Sequence, residues 1–167
     1  MALIGKNAAL AVALGIGAAV AAGGAIAHDD VMPKNANAAT KAAYARHENF
    51  KKLGGAFKGL NDELRKPSPS LAVVRTNAGV VASQSRALPT WFPRGSGVQA
   101  RPMSEAKAEV WTDAAGFTSA ASNFQTQAAK LTQVAAGSDL DAIRAQTRQT
   151  FMACRGCHEK YRQEKKS

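Results

Sequence analysis

Cysteine and histidine are scarce in this sequence of 167 residues, which contains two cysteines and three histidines. So few thiols exclude a disulfide-rich scaffold and a four-cysteine zinc site. Aromatic residues form only 6% of the chain, and no segment alternates polar and apolar residues with the period of two that indicates a strand. These absences disfavour a strand-rich domain and favour a helical one.

Both cysteines lie in one motif, Cys154-Arg155-Gly156-Cys157-His158. Cys-x-x-Cys-His is the attachment sequence of a c-type haem. Helix positions three and four apart share a face, so both thiols and the imidazole can reach one flat macrocycle. The thiols of Cys154 and Cys157 would form thioethers with the haem vinyl groups. The motif thus predicts one covalent haem c, with His158 as its metal ligand.

Two other uses of this motif remain as weaker alternatives. A Cys-x-x-Cys redox dithiol usually opens a helix that follows a strand, and no strand pattern precedes Cys154. A zinc site would have to recruit further ligands, but His28 and His47 lie far along the chain without metal-type spacing.

The first part of the chain has the order of a secretory signal. Lys6 is followed by an apolar run over residues 8–22 and then by an Ala-x-Ala site, which predicts a signal peptide at 1–27 that is cleaved before His28. A retained membrane anchor is the alternative, but Ala and Gly dominate the run, which is shorter than the ~20 strongly apolar residues of a span. The remainder, 28–167, has the length of one domain.

The chain is strongly basic, with 22 lysines and arginines against 12 acidic residues and a formal net charge of +10. Nucleic acid is disfavoured as a partner, because the chain is predicted to be exported and lacks the aromatic and basic motif of a DNA or RNA reader. A redox partner protein with an acidic surface accounts for the charge, as does simple solvation.

Apolar residues after the signal recur at three- and four-residue steps, the period of an amphipathic helix. Proline and glycine interrupt this pattern three times, so it predicts four helices. Four such helices with mostly short connections indicate an all-α antiparallel four-helix bundle with the cofactor in its core. The predicted helices run from about Ala36 to Leu64, from a cap at Ser68 to Leu88, from about Ser104 to Leu131, and from a cap at Ser138 into the haem motif.

A haem motif at the end of the last of four helices is similar to the pattern of the class II c-type cytochromes, the cytochrome c′ family. The similarity covers residues 36–165, and it implies a periplasmic location, because bacteria attach haem c outside the cytoplasm. The segments that carry it are Tyr44-Ala45-Arg46, Ala87-Leu88-Pro89, Ala100-Arg101-Pro102, Val110-Trp111-Thr112-Asp113-Ala114-Ala115 with Phe117, Gly137-Ser138-Asp139-Leu140-Asp141, and Cys154 to Arg162.

This resemblance also implies roles for residues around the haem. The residue four after Arg46 is Phe50, which by the family pattern points at the open haem face. Low-spin members carry methionine there, whereas members with an apolar residue leave the iron five-coordinate, with His158 as the single strong ligand. Arg46 would lie near a haem propionate, and Arg162 would lie beside the histidine, where its charge influences the reduction potential.

Four other side chains are alternatives for a second iron ligand. His47 lies one turn from Phe50, but a polar residue on a helix is usually exposed. Met32 and Met103 lie outside the helices or at their edge, and Met152 is too close to the attachment site to cross the ring.

The resemblance implies two functions for a protein that is not expected to be an enzyme. One is a periplasmic electron carrier that passes single electrons to a partner protein, which is the broader activity of the family and the expected one here. The other is a protein that binds nitric oxide or carbon monoxide at the open iron position. A peroxidase is disfavoured, because no distal histidine–arginine pair is evident. Homodimers are common in the family, so a second copy of the chain is a candidate partner.

We expect the mature protein to begin near His28 and to keep one haem under denaturing conditions, because thioether bonds survive unfolding. Intact mass spectrometry after acid–acetone extraction measures both. Replacing Cys154 or Cys157 by Ser leaves one thioether at most and lowers the yield of haem-loaded protein. Loss of the haem mass from the wild type would contradict covalent attachment, and a mass that includes residues 1–27 would contradict cleavage.

Overall fold

The computed structural model describes residues 30–164, so the predicted signal peptide lies outside the described residues. Four long helices form an antiparallel bundle, which confirms the predicted fold class. In the described part of the chain, no helix is both long enough and apolar enough to cross a membrane. The helices are α1 (Ala38–Leu64), α2 (Leu71–Ala87) with a 3-10 helix (Leu88–Trp91) directly after it, the single-turn α3 (Glu109–Thr112), α4 (Ala114–Ala135) and α5 (Leu140–Tyr161).

The long helices pack in the order α1 on α2, α2 on α4 and α4 on α5. Since α1 and α5 meet at few points, the bundle encloses a gap between its first and last helices. Buried apolar residues form two clusters on either side of the bundle's midpoint. The closed-end cluster contains Leu60, Leu64, Val74, Ala78, Leu131, Ala135 and Ile143. The open-end cluster, around the gap, contains Leu53, Ala56, Val81, Ala82, Leu88, Trp91, Val110, Phe117, Ala121, Phe124, Ala128, Ala153 and Tyr161.

Side-chain caps fix where the first two helices begin. Asn37 caps α1 through its side-chain oxygen, close to the predicted start. The cap of α2 is Ser70 rather than the predicted Ser68. The reason is a contact with the end of α1, where the Glu63 carboxylate accepts the N–H of Ser70 at 2.7 Å.

The helix predicted from Ser104 begins later. The backbone of Glu105 pairs with the chain after α5, because the N–H of Gln163 donates to the Glu105 carbonyl at 2.7 Å. The N–H of Lys107 likewise donates to the carbonyl of Tyr161 at 3.0 Å. These non-local hydrogen bonds occupy backbone groups that a helix would use for itself, so the helix cannot start at Ser104.

Asp113 then divides the remaining segment into α3 and α4. Its backbone leaves the helical conformation, with φ −112° and ψ 56°, and its carboxylate accepts the N–H of Gly116 at 3.1 Å as the N-cap of α4. In the same way Asp139, rather than the predicted Ser138, caps α5, because its carboxylate accepts two backbone N–H groups at 3.0 Å. Carboxylates are favoured at this position by the helix dipole as well as by hydrogen bonding.

Arginines from neighbouring helices satisfy carbonyl groups at two helix ends. Arg75 in α2 donates to the carbonyl of Ala135 at 2.9 Å and to that of Gly137 at 3.1 Å. Arg144 in α5 donates to the carbonyl of Leu64 at 3.1 Å. The closed end of the bundle is therefore held by charge-assisted hydrogen bonds as well as by apolar packing.

We predict that Ile143→Ala lowers the free energy of unfolding by about 2–5 kcal/mol, because Ile143 is fully buried in the closed-end cluster. The haem spectrum should stay unchanged, because this cluster lies apart from the gap. Val73→Ala is the control, since Val73 is 40% exposed and its truncation should cost less than about 1 kcal/mol. Urea denaturation followed by circular dichroism measures both. An altered haem spectrum in Ile143→Ala would contradict the separation of the two clusters.

Candidate cofactor site

A cavity of about 740 Å³ fills the gap between α1 and α5. Its volume lies in the range of roughly 300–1,000 Å³ that ligand and cofactor sites occupy. From one side α5 supplies Cys154, Cys157 and His158, and from the other α1 supplies Phe50 and Phe57. The structure therefore brings the predicted attachment motif and the predicted distal residue to a single cavity.

The thiols of Cys154 and Cys157 are half-buried and pack against the open-end cluster. Burial raises the pKa of the Cys154 thiol to about 12 and also raises the pKa of Cys157. A catalytic dithiol needs a lowered pKa, so that a thiolate forms at neutral pH. These surroundings disfavour the redox-dithiol alternative. Within residues 30–164, no three His, Cys, Asp or Glu side chains are grouped to hold a metal ion.

The wall opposite the motif is aromatic and tightly fixed. The ring of Phe50 meets Trp91 edge-to-face at 5.1 Å and Phe92 at 6.2 Å between centroids. The series continues from Phe92 to Phe117 at 4.8 Å and from Phe117 to Tyr161 at 5.3 Å. It therefore connects α1 to the last turn of α5. Edge-to-face pairs of this kind contribute roughly 0.5–1.5 kcal/mol each beyond area burial, which holds Phe50 in place.

Arg46 lies in the cavity wall and is only 4% exposed. Its guanidinium donates to the carbonyl of Trp91 at 3.1 Å, to the hydroxyl and carbonyl of Ser96 at 2.9 and 2.6 Å, and to the hydroxyl of Ser104 at 3.1 Å. Burial, and then the charge of Arg101, lower the pKa of Arg46 to about 10, so the side chain is cationic at neutral pH. All four acceptors are uncharged, and a buried cation beside a cavity favours a bound group that carries negative charge.

Two of the alternative iron ligands line the cavity, and two lie outside it. Among the described histidines and methionines, His47 and Met103 join His158 in lining the cavity. The side chain of His47 is 41% exposed, and Met103 is also exposed. Met32 lines a separate hollow beside α1, and Met152 is exposed on α5. Phe50 lines the same cavity and packs against the open-end cluster.

Arg162 lies one turn after His158, and its N–H donates to the His158 carbonyl at 2.9 Å. The guanidinium binds the carboxylate of Glu105, with Nε 2.6 Å and Nη2 2.5 Å from Oε2. Burial, and then the charge of Arg162, lower the pKa of His158, whereas the charge of Glu105 raises it. The imidazole is therefore favoured in its neutral form, which is the form that ligates a metal. Sequence reasoning missed Glu105, because its partner is distant in the chain.

Three side chains fasten the end of α5 to the start of α4. The Asp113 carboxylate accepts a hydrogen bond from the Tyr161 hydroxyl at 2.8 Å and pairs with the Lys160 ammonium at 2.6 Å. Gly116 permits this approach, because a Cβ at that position would lie 2.5 Å from the Tyr161 hydroxyl. Hydrogen bonds from Lys160, then Tyr161 and Gly116, lower the pKa of Asp113 to about 2. The charged carboxylate thus holds the turn that follows His158.

The residues present fit a covalent haem. Two half-buried thiols and a neutral imidazole share one wall, an aromatic wall faces them, and the buried cation of Arg46 suits the carboxylates of a haem. Fold and site together define a class of protein, namely four-helix bundles with haem attached near the C-terminus of the last helix.

The family model described as Cytochrome C′ matches residues 41–162. The chain belongs to the cytochrome c′ family, as the sequence predicted, and it binds one covalent haem c. Cytochrome c′ of Rubrivivax gelatinosus is 36% identical over 91 residues, which are 54% of this chain and 69% of the relative.

Solved structures support the same assignment. Cytochrome c prime of Shewanella frigidimarina aligns with a TM-score of 0.70 at 31% identity, over 78% of this chain and 100% of that chain. A nitric oxide complex of a variant of cytochrome c prime from Alcaligenes xylosoxidans aligns with a TM-score of 0.68 at 26% identity, over 76% of this chain and 97% of that chain.

We predict that Asp113→Asn destabilises the protein at neutral pH, because asparagine cannot form the ion pair with Lys160. A carboxyl group with a lowered pKa contributes stability above its ordinary pKa of 3.8, and the contribution is lost as the pH falls through the folded value of about 2. The difference in unfolding free energy between wild type and Asp113→Asn should therefore shrink over this interval. Guanidinium denaturation at several pH values measures it.

Tyr161→Phe is the matched control, because it removes the hydroxyl donor and leaves the carboxylate of Asp113 paired with Lys160. This variant should keep most of the acid dependence of the wild type. If Asp113→Asn loses the same stability at every pH, the low pKa of Asp113 is wrong.

Proposed function

We propose that this protein holds its haem through Cys154 and Cys157, with His158 as the axial iron ligand and the opposite face open to nitric oxide or carbon monoxide. When bound, the haem supplies an iron that takes up such a gas in the ferrous state and that exchanges single electrons. The observation that carries the proposal is the position of Phe50, whose ring lines the cavity and offers no donor atom to iron.

The surroundings of Phe50 favour a neutral diatomic gas. Its ring is held by Trp91 and Phe92, and Leu53 and Phe57 extend the same apolar wall. An apolar wall disfavours water and anions relative to a neutral gas. An electron carrier needs no open iron position, so this wall favours gas binding over electron transfer alone. The nitric oxide complexes of Alcaligenes xylosoxidans cytochrome c prime variants, 26% and 25% identical to this chain, support the same ligand class.

Two arginines complete the proposed haem site. The buried Arg46 would donate to a haem propionate, which would supply the negative charge that its uncharged acceptors lack. Arg162 would stand on the histidine side, in its ion pair with Glu105. These assignments follow the residue pattern of the family and agree with the burial and charge of both side chains.

Single-electron transfer is the second candidate function, and the basic surface favours it. The chain carries a net charge of +10, and Lys51 and Lys52 are exposed on α1, with Lys51 lining the cavity. Such a surface would steer an acidic redox partner toward the haem edge. A rate of reduction by an anionic protein donor that falls with rising salt supports this function, and a salt-independent rate opposes it.

The signal-like N-terminus and the haem motif support a periplasmic location. Cleavage before His28 and a homodimer remain predictions of the sequence. Fractionation of the native host tests the location, and size-exclusion chromatography with light scattering tests the dimer.

We predict that ferrous wild-type protein is five-coordinate and high-spin and that it binds carbon monoxide without first displacing a side chain. Phe50→Met should move the ferrous spectrum toward low spin and slow carbon monoxide binding, because the thioether would compete for iron. Phe50→Ala should speed binding, because the ring no longer obstructs entry. Optical spectra and stopped-flow mixing with carbon monoxide measure these changes.

Phe57→Met is the matched control, because Phe57 lies in the same wall but stacks on Phe151 at 6.3 Å. It should keep the high-spin spectrum. A six-coordinate low-spin ferrous spectrum in the wild type would contradict the open site, and its disappearance in His47→Ala or Met103→Ala would identify the ligand.

A further inference from the structure

The segment that follows the proposed iron ligand, residues 161–163, pairs through its backbone with the distant residues 105–107. We call this pairing the clasp. Ala106 and Arg162 form an isolated antiparallel bridge, and the N–H of Gln163 donates to the carbonyl of Glu105 at 2.7 Å. On the other side, the N–H of Arg162 donates to the carbonyl of His158 at 2.9 Å. The backbone of Arg162 is therefore fixed from two directions, which limits where its side chain can reach.

The side chains of this clasp form an ion pair beside the histidine. The Arg162 guanidinium makes two short contacts with the Glu105 carboxylate, at 2.6 and 2.5 Å. Both side chains are about two-fifths exposed, and both line the cavity that His158 lines. The imidazole therefore faces a contacting cation and anion rather than an isolated positive charge.

We infer that Glu105 is a positioning residue for the iron site, which holds the Arg162 guanidinium on the histidine side of the haem, cancels its charge and thereby sets the reduction potential. The inference rests on the proposed ligation of iron by His158. A lone cation near iron favours the ferrous form and raises the potential, and a lone anion does the opposite. Because Arg162 and Glu105 are in contact, the reduction potential lies between the value for a lone cation and the value for a lone anion.

Three variants separate this electrostatic role from a structural one. In each, one electron per iron passes between an electrode and the protein, and the midpoint potential of the ferric–ferrous couple is measured. Glu105→Gln should raise the potential, because Arg162 is left unpaired. Arg162→Gln should lower it, because Glu105 is left unpaired. The double variant should return close to the wild-type value, since the removed charges cancel. A merely loosened clasp would move the double variant at least as far as either single one.

Two further variants control for charge and for folding. Asp141→Asn removes the same charge at the far end of α5, where Asp141 pairs with Arg144 at 3.2 Å, and it should leave the potential unchanged. Glu105→Asp keeps the carboxylate and should stay closer to the wild type than Glu105→Gln does. Circular dichroism and haem content establish that each variant is folded and loaded.

Equal potentials in wild type and Glu105→Gln, or shifts of both single variants in the same direction, would overturn the inference. The iron–histidine stretching band in the ferrous resonance Raman spectrum tests the underlying ligation separately. Its absence from wild-type protein whose optical spectrum is five-coordinate and high-spin refutes ligation by His158, whereas its presence together with unshifted potentials refutes the role of Glu105 alone.

Discussion

The gap between α1 and α5 is the constraint on which the rest of the structure depends. The pairs α1–α2, α2–α4 and α4–α5 are packed together, so α1 cannot move onto α5 without breaking its contacts with α2. Aromatic rings such as Phe117 and Phe124 face the gap, and a flat hydrophobic cofactor removes their surfaces from water. Because such a group completes the core only when the chain is folded, its packing against these rings stabilises the fold.

Charge within the cavity is arranged unevenly. Arg101 lines it and is buried, but the carboxylate of Asp30 pairs with its guanidinium through Nε at 3.0 and 2.8 Å. Arg162 is balanced by Glu105. Arg46 instead donates to uncharged oxygens. One part of the wall therefore carries a net positive charge, and this asymmetry would orient a cofactor whose carboxylates lie on one edge.

Sequence periodicity and local motifs were enough to predict the four helices, their approximate ends and the attachment of a covalent haem, because these depend on neighbours within a few turns. Three of the differences from the structure have one physical source. The start of α2 at Ser70, the late start after Ser104 and the pairing of Glu105 with Arg162 all depend on contacts between distant segments. No local signal reports such contacts. The family pattern predicted that Phe50 faces the haem. Composition alone would have predicted an ordinary core residue.

The two walls of the cavity belong to different helical hairpins, α1–α2 and α4–α5. A haem held by thioethers would be bonded to the second hairpin and merely packed against the first. If the hairpins part transiently in an opening event short of complete unfolding, the haem stays bonded to α5 and is not released. The bundle can then reclose without having to bind a haem again. A protein that holds its haem by non-covalent contacts alone would lose the haem in such an opening event.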